Sequence, residues 1–413
     1  MQYSQQIRLL AKQQEDYIIA CRRWFHEHPE VSGKEWETIA FIEAEAEKLG
    51  LSVEKVSATG RIITLDTGKP GNTVALRADI DALPVAESEC NLKLPRNVIS
   101  ANPGVSHACG HDAHMACLLG AMRILCDMKE KLVGRILFCF EEGEEDSSAW
   151  QGMVAALEKK QVNTAFGLHV LSSLEHGKVS LNYGAPMSGM VGVDVTFHGR
   201  GGHGSRPDLS INPVFAAAAA LNNLAVAFAN QIDANETVTL GITSIQGGNI
   251  YNVFPDNARV LGTLRYFNPK EGRKALSIVK KVFTATAEMN NCTVTFHAPT
   301  RIIVDPTIND DDAVTIGREA LSQTLPEGTL VSGEKWYASE SFSEYLKRFK
   351  GAFGFLGVRN EELGCGAEHH NGKFDLDESA LWLGAVCHAA YAVEMMGRED
   401  VSRWGLKKED VSG

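Results

Sequence analysis

The 413-residue sequence predicts an α/β protein: a mixed, largely parallel sheet domain interrupted by an inserted ferredoxin-like α+β domain. Two patterns carry that reading. In residues 1–186, short apolar runs alternate with helical patterns, and such alternation builds a parallel sheet through crossover helices. In residues 187–300 the order becomes strand–helix–strand–strand–helix–strand, which is the ferredoxin-like order. Residues 301–413 return to the first pattern. A chain this long exceeds one ordinary core, so two domains are expected.

Taken in order, the N-terminal stretch MQYSQQIRLLAKQQEDYIIACRR reads as an amphipathic helix, and helical character continues to about Leu49. RIITLDT and TVALRAD follow as strands, then a helix after His111, the apolar run RILFCF, a helix around MVAALEKK and the strand AFGLHV. In parallel sheets, sites collect at the carboxyl ends of strands, which directs suspicion to the polar residues after TVALRAD and RILFCF and at the end of AFGLHV. In the middle segment, VGVDVTFHG alternates as a strand and NPVFAAAAALNNLAVAFAN is a helix with Pro213 near its start. ETVTLGITSIQ and NARVLGTLRYF are strands, KEGRKALSIVKKVFTATAEMN a helix and CTVTFHA a strand. GAFGFLG, a buried strand, and the helix LWLGAVCHAAYAVEMM complete the first domain.

Bulk properties exclude several classes. A net charge of −12 argues against a nucleic-acid partner, whose binders need a basic face. No stretch reads as long and apolar enough to cross a bilayer, and the N-terminus lacks a signal-peptide core, so no membrane partner and a cytoplasmic location are expected. The nine cysteines form no disulfide-like framework and include no CxxC pair. Cys117, Cys126 and Cys139 sit in apolar runs and are expected to be reduced and buried.

Four clusters could carry chemistry. HACGHDAH, His107 to His114, brings Cys109, His111, Asp112 and His114 together just before a helix, and one loop can then present two metal ligands at once. EEGEED, Glu141 to Asp146, follows a buried strand, where one carboxylate could bind metal and its neighbour act as general base. His169 ends AFGLHV, and His369 and His370 open HHNGKFDLDE. A lone histidine is more often a hydrogen-bonded structural residue, and a charge run more often a solvated turn. Together, though, they make a two-metal inventory of Cys, His, Glu, His and His. Two metals suit hydrolysis: they polarise a carbonyl and acidify a water whose proton a carboxylate removes.

RRWFHEHPEVSGKEWET, ALRADIDALPV, HACGHDAH, FGLHV, GRGGHGSRP, NVFPDNARVLGTLR and HHNGKFDLDE stand in this order along the chain. In order and spacing they resemble the aminoacylase, hippurate hydrolase and indole-acetyl-amino-acid hydrolase branch of the carboxypeptidase-type dinuclear metallopeptidases. The resemblance spans about residues 20 to 395. It implies cleavage of the amide bond of an N-acyl amino acid, with dipeptidase or carboxypeptidase action as the nearest alternative and a non-catalytic metal-binding protein as a more distant one.

Carried over residue by residue, the resemblance implies metal ligands Cys109, His111, Glu145, His169 and His370, with Glu144 as general base. The family's acidic motif has adjacent glutamates, and counting from Gly134 places them at Glu144 and Glu145. EEG precedes that pair where relatives carry QPA, so Glu141 and Glu142 are the alternative register. The last ligand lies four positions before the Phe of KFD, which prefers His370 to His369. The inserted domain resembles a lid and dimerisation domain. There His203 is implied to hydrogen-bond the developing oxyanion in a partner subunit's site, and Asn252 and Arg265 to bind the substrate's free carboxylate. A homodimer follows from the same resemblance, and the first helix of that domain, with alanines and apolar residues around most of its circumference, agrees with it. Relatives also carry His where Asp208 stands and Asp where Ser341 stands. Two divalent ions per chain are implied; a thiolate among imidazoles and a carboxylate suits zinc, with manganese, cobalt or nickel as alternatives.

Overall fold

A computed structural model describes residues 3–407 and divides the chain into two compact units. The first comprises Met1–Pro186, Ile308–Glu334 and Glu344–Gly413; the second comprises Met187–Thr307 and Lys335–Ser343.

The first unit is built on an eight-stranded mixed sheet. Its centre is four parallel strands in the order Arg135–Glu141, Thr73–Asp79, Thr164–Glu175 and Lys350–Arg359. Arg61–Asp66 and then Ser52–Lys55 extend one edge in antiparallel fashion, and Val179–Ser180 and Leu330–Val331 extend the other. Every residue of Thr73–Asp79 is buried, as expected of a parallel strand covered on both faces. The helices His111–Asp127 and Leu381–Met396 are buried around most of their circumference and pack on each other and on the sheet. The N-terminal amphipathic stretch is broken into two helices, Ser4–Gln13 and Glu15–Glu27, and a third runs from Trp36 to Lys48.

The second unit has strands in the order Val238–Gln246, Asn257–Tyr266, Gly189–His198 and Thr293–Phe296, all paired antiparallel. That order is the ferredoxin-like one. Asn212 and Asn268 cap its helices, Pro213–Gln231 and Pro269–Met289, by accepting from Val214 N and Lys270 N, and each helix has proline in its first turn.

Two expectations are corrected. The second unit does not end at residue 300: it runs to Thr307 and recruits Lys335–Ser343. Ser188 ties that later segment down, its Oγ donating to Tyr337 O at 2.6 Å and its N–H to Ala338 O at 3.0 Å. Second, Pro213–Gln231 is long and apolar enough to cross a membrane by length and composition. In the structure its Ala216, Ala217, Ala220 and Leu224 join the core of the second unit with Val193, Ala258 and Phe283. Among the cysteines, Cys117 and Cys139 are buried, Cys126 is only partly so, and all nine are free.

Candidate metal centre

The loop before the His111–Asp127 helix turns sharply at Gly110, whose φ is +92°. A Cβ there would lie 2.4 Å from Val170 Cγ2, so glycine is required both by conformation and by space. The turn brings Cys109 and His111 into one buried group with His169 of the neighbouring strand. Cys109 Sγ lies 3.6 Å from His169 Nε2. The ligand-type atoms within each such group all lie within 4.8 Å of one another.

Cys109 belongs to a second group, with Glu145 and His370. Glu144 and Glu145 form a third with His111. One thiol is therefore common to two triads, Cys109–His111–His169 and Cys109–Glu145–His370. All five residues expected as ligands are brought together, and Glu144 lies beside them.

Hydrogen bonding decides which nitrogens can bind a cation. His111 Nδ1–H donates to Asp81 O at 2.9 Å with Asp81 Oδ1 at 3.2 Å, which leaves Nε2 unprotonated in the neutral ring. That Nε2 is buried without a hydrogen-bond partner, as is Glu145 Oε1, and the two lie 3.7 Å apart. His169 Nδ1–H donates to Val170 O at 2.6 Å, again turning Nε2 toward the cluster. Buried polar atoms of this kind are rare unless a ligand satisfies them. An imidazole and a carboxylate with such orphaned atoms, beside a buried thiol, fit divalent cations, and the tied Nδ1 atoms supply the outer support that metal-binding histidines usually have.

The same accounting removes other candidates. His114 Nδ1–H donates to Asp79 Oδ1 at 2.6 Å and its Nε2 accepts from Val170 N at 2.9 Å, so both nitrogens are used, although Asp79, His111 and His114 also cluster. His369 is tied in the same way, between Cys109 O at 3.1 Å and Ser172 N at 3.2 Å. His370 instead is held in a left-handed conformation, φ +63°, with Nε2 3.5 Å from Glu145 Oε2. Strain at a non-glycine residue persists only where the surroundings enforce it. Asp112 is bound by Arg22 at 2.9 Å and His26 at 2.7 Å. Glu141 pairs with Arg77 at 2.7 Å and with the Tyr345 hydroxyl, and Glu142 accepts from Thr59. The alternative register is therefore occupied by other contacts.

Electrostatics follow from burial and charge. Burial works against a proton on His111, but Asp79 and Asp81 outweigh it and hold its pKa well above the usual value. A site that favours a cation on His111 also favours a metal ion. Burial lifts Glu145 to about 7, with Asp81 and Asp79 adding to the rise and His111 opposing it. Burial also pushes the Cys109 thiol well up, helped by Glu145 and Glu144, and pushes His169 well down.

The remaining expected residues lie in the second unit. His203 is exposed, pairs with Val253 in a short antiparallel ribbon, and has Nδ1 2.8 Å from Ser205 Oγ. Asn252 Oδ1 is buried without a partner. Arg265 is half-buried, 3.3 Å from Ser339 Oγ, and burial lowers its pKa. Asp208 forms a two-pronged surface pair with Arg206, and Ser341 is buried beside Glu340. Asp79, Asp81 and His114 were not singled out from the sequence as supports. The signal for Asp79 and Asp81 is that acids stand at the end of a fully buried strand, and His114 was named only among the candidate ligands of HACGHDAH.

Residues 75–394 match the model of peptidase family M20/M25/M40. The chain is 35% identical over 394 residues to thermostable carboxypeptidase 2 of Saccharolobus solfataricus, covering 94% of this chain and 97% of that one. It is 32% identical over 385 residues to IAA-amino acid hydrolase ILR1-like 4 of Arabidopsis thaliana, covering 92% and 86%. A solved dinuclear metal-binding peptidase of the M20 family from Bacillus subtilis superposes with a TM-score of 0.78 at 27% identity, covering 92% of this chain and 98% of that one. The chain belongs to peptidase family M20/M25/M40 and is a metal-dependent amide hydrolase of that family.

Proposed function

We propose that the chain hydrolyses the amide bond of an N-acyl amino acid, releasing a carboxylic acid and a free amino acid. The observation that carries the reading is Cys109 standing in two triads at once, beside the unpartnered His111 Nε2 and Glu145 Oε1. Cys109, His111, Glu145, His169 and His370 would hold two divalent cations, with zinc preferred for a thiolate–imidazole–carboxylate set and manganese, cobalt or nickel as alternatives. When bound, such ions polarise the scissile carbonyl and acidify a water.

The chain's own residues do the rest. Glu144 accepts the proton of the attacking water and returns it to the leaving nitrogen, so one carboxyl serves as base and then as acid. Asp81 and the Val170 carbonyl fix the rings of His111 and His169 so that their Nε2 atoms stay turned inward. His203 is assigned stabilisation of the developing oxyanion, and Asn252 and Arg265 are assigned the substrate carboxylate. Supporting Arg265, its half-buried guanidinium donates to the Ser339 hydroxyl rather than to a carboxylate.

A homodimer belongs to the reading. Its support is the outer face of the Pro213–Gln231 helix, where Phe215 and Val226 are 70% and 64% exposed. A cytoplasmic location is supported by the nine free cysteines. Carboxypeptidase or dipeptidase action is the second reading, favoured by the thermostable carboxypeptidase relative. Turnover of a panel of N-acyl amino acids and dipeptides by metal-loaded protein separates the two. Faster cleavage of dipeptides across the panel would overturn the first.

A further inference from the structure

Beneath the loop that carries Glu144 and Glu145 lies a buried group of oxygens with too few protons for its contacts. Glu35 and Thr59 have no exposed surface and Glu142 is 7% exposed. Thr59 Oγ1 lies 2.7 Å from Glu35 Oε2 and 2.8 Å from Glu142 Oε2. A hydroxyl carries one hydrogen and can donate to only one of them. Two ionised carboxylates on one hydroxyl oxygen would leave a buried lone-pair contact, so one carboxyl must bring the second proton.

The other contacts say which. Glu142 Oε2 also accepts from Thr59 N–H at 2.7 Å, so it acts as an acceptor. Glu35 Oε1 accepts from Gly33 N at 2.8 Å and Gly143 N at 3.1 Å, whereas Oε2 meets Thr59 Oγ1. The O–H therefore fits on Glu35 Oε2: it donates to Thr59 Oγ1, and Thr59 donates to Glu142. The charged groups around Glu35 agree. Asp81, which acts on Glu35 through its charge, and Glu142, which shares Thr59 with it, are both acids. Burial first, and Asp81 next among the unfavourable influences, raise the Glu35 pKa.

The arrangement anchors the start of the acidic loop from two sides. Gly143, at φ +61°, is where the chain leaves the strand, and a Cβ there would lie 2.6 Å from Ser148 Oγ. Its N–H is held by Glu35, and the residue before it is held by Thr59. Ser32, in the same stretch as Glu35, donates to Asp81 Oδ2 at 2.6 Å, and that oxygen also receives Glu145 N–H at 3.0 Å. Glu142, one of the two acids that depart from the family pattern, thus has a place as a loop anchor.

We propose that Glu35 is a positioning residue for Glu144 and Glu145 and that it works as a neutral carboxylic acid, sharing Thr59 with Glu142. The positioning half rests on the proposed roles of Glu144 and Glu145; the neutral acid does not. Glutamine reproduces this pattern, its carbonyl accepting from Gly33 and Gly143 and its amide donating to Thr59. Infrared difference spectra of wild-type and Glu35→Gln protein, both folded and metal-loaded at pH 7, test the protonation directly. The wild type should show a protonated-carboxyl band that Glu35→Gln lacks. Glu35→Gln should keep its metal and a kcat within about threefold of wild type. Glu35→Ala should lose kcat by about 10²-fold with KM little changed, because a small misplacement of the base is enough. Absence of the band, or Glu35→Gln falling as far as Glu35→Ala, overturns the proposal. If Glu35→Ala does not fold, the band and the Glu35→Gln kinetics still decide it. If the band is present but no N-acyl amino acid is cleaved, the substrate reading fails and the neutral acid stands.

Discussion

The backbone N–H of Glu145 donates to Asp81 Oδ2 at 3.0 Å, while the other oxygen of that carboxylate lies 3.2 Å from His111 Nδ1. One buried side chain therefore orients two of the proposed ligands, one through its ring and one through its backbone. Asp81→Asn keeps the shape but presents an amide that cannot accept on both sides. Outer-shell partners of this kind are worth about 10–100-fold in metal affinity. Asp81→Asn should weaken metal binding by that amount in a competition titration against a chelator. An unchanged affinity would mean that the Asp81 carboxylate plays no part in holding the site.

Glu144 and Glu145 are neighbours with different predicted losses. Glu144→Gln should retain metal but lose about 10²–10⁴-fold in kcat, since an amide cannot accept the proton. Glu145→Gln should lose metal content first and activity as a consequence. Metal analysis alongside kinetics on both variants separates them, and exchanged phenotypes would reverse the two roles.

Much of this was legible in the sequence. The apolar runs Thr73–Asp79 and Arg135–Glu141 are buried along nearly their whole length, so they read clearly as parallel strands. The clusters that hold Cys109, His111, Glu145, His169 and His370 stood out because ligand-type residues followed those strands or preceded a helix, and the family resemblance then picked these five from within them. The supports were less visible. Whether His114 or His369 binds metal depends on what their two nitrogens touch, and Val170 N and Cys109 O are backbone atoms that no residue pattern announces. Glu35 and Thr59 lie 83 or more residues from the loop they hold, counting from Thr59 to Glu142, and acquire a role only through folding. The boundary near residue 300 was missed for a similar reason: Lys335–Ser343 joins the second unit through Ser188, a contact across the chain.

Metal loading should depend on pH in a defined direction. In the metal-free fold, burial and neighbouring acids lift Glu145 to about 7, above its ordinary value near 4.5. A carboxyl raised in this way favours the fold while protonated, and that contribution is lost as pH climbs from about 4.5 through 7. A cation needs the carboxylate and must displace the proton below pH 7. Apparent affinity should therefore rise with pH through 7 and go on rising above it, because the Cys109 thiol and His111 also give up protons to a cation, with proton release on binding at pH 6. Calorimetry in two buffers of different ionisation enthalpy measures that release. No proton release at pH 6 would contradict it.

Arg265 offers a test of substrate polarity. If its guanidinium binds the free carboxylate, Arg265→Ala should raise KM for N-acyl amino acids by about 10-fold or more, the range of a charge-assisted hydrogen bond. The matching N-acyl amino acid amides should be poor substrates for the unaltered enzyme. Equal kcat/KM on acids and amides would remove Arg265 from carboxylate recognition.

The central claim is that five side chains, with Cys109 common to both triads, hold two divalent cations that amide cleavage requires. Elemental analysis of fully active protein, combined with stripping by a chelator and stepwise re-addition, measures this most directly. The account predicts two ions per chain at full activity, loss of activity on stripping, and recovery that reaches its plateau at the second equivalent. Full activity in protein carrying less than one transition-metal ion per chain would contradict it.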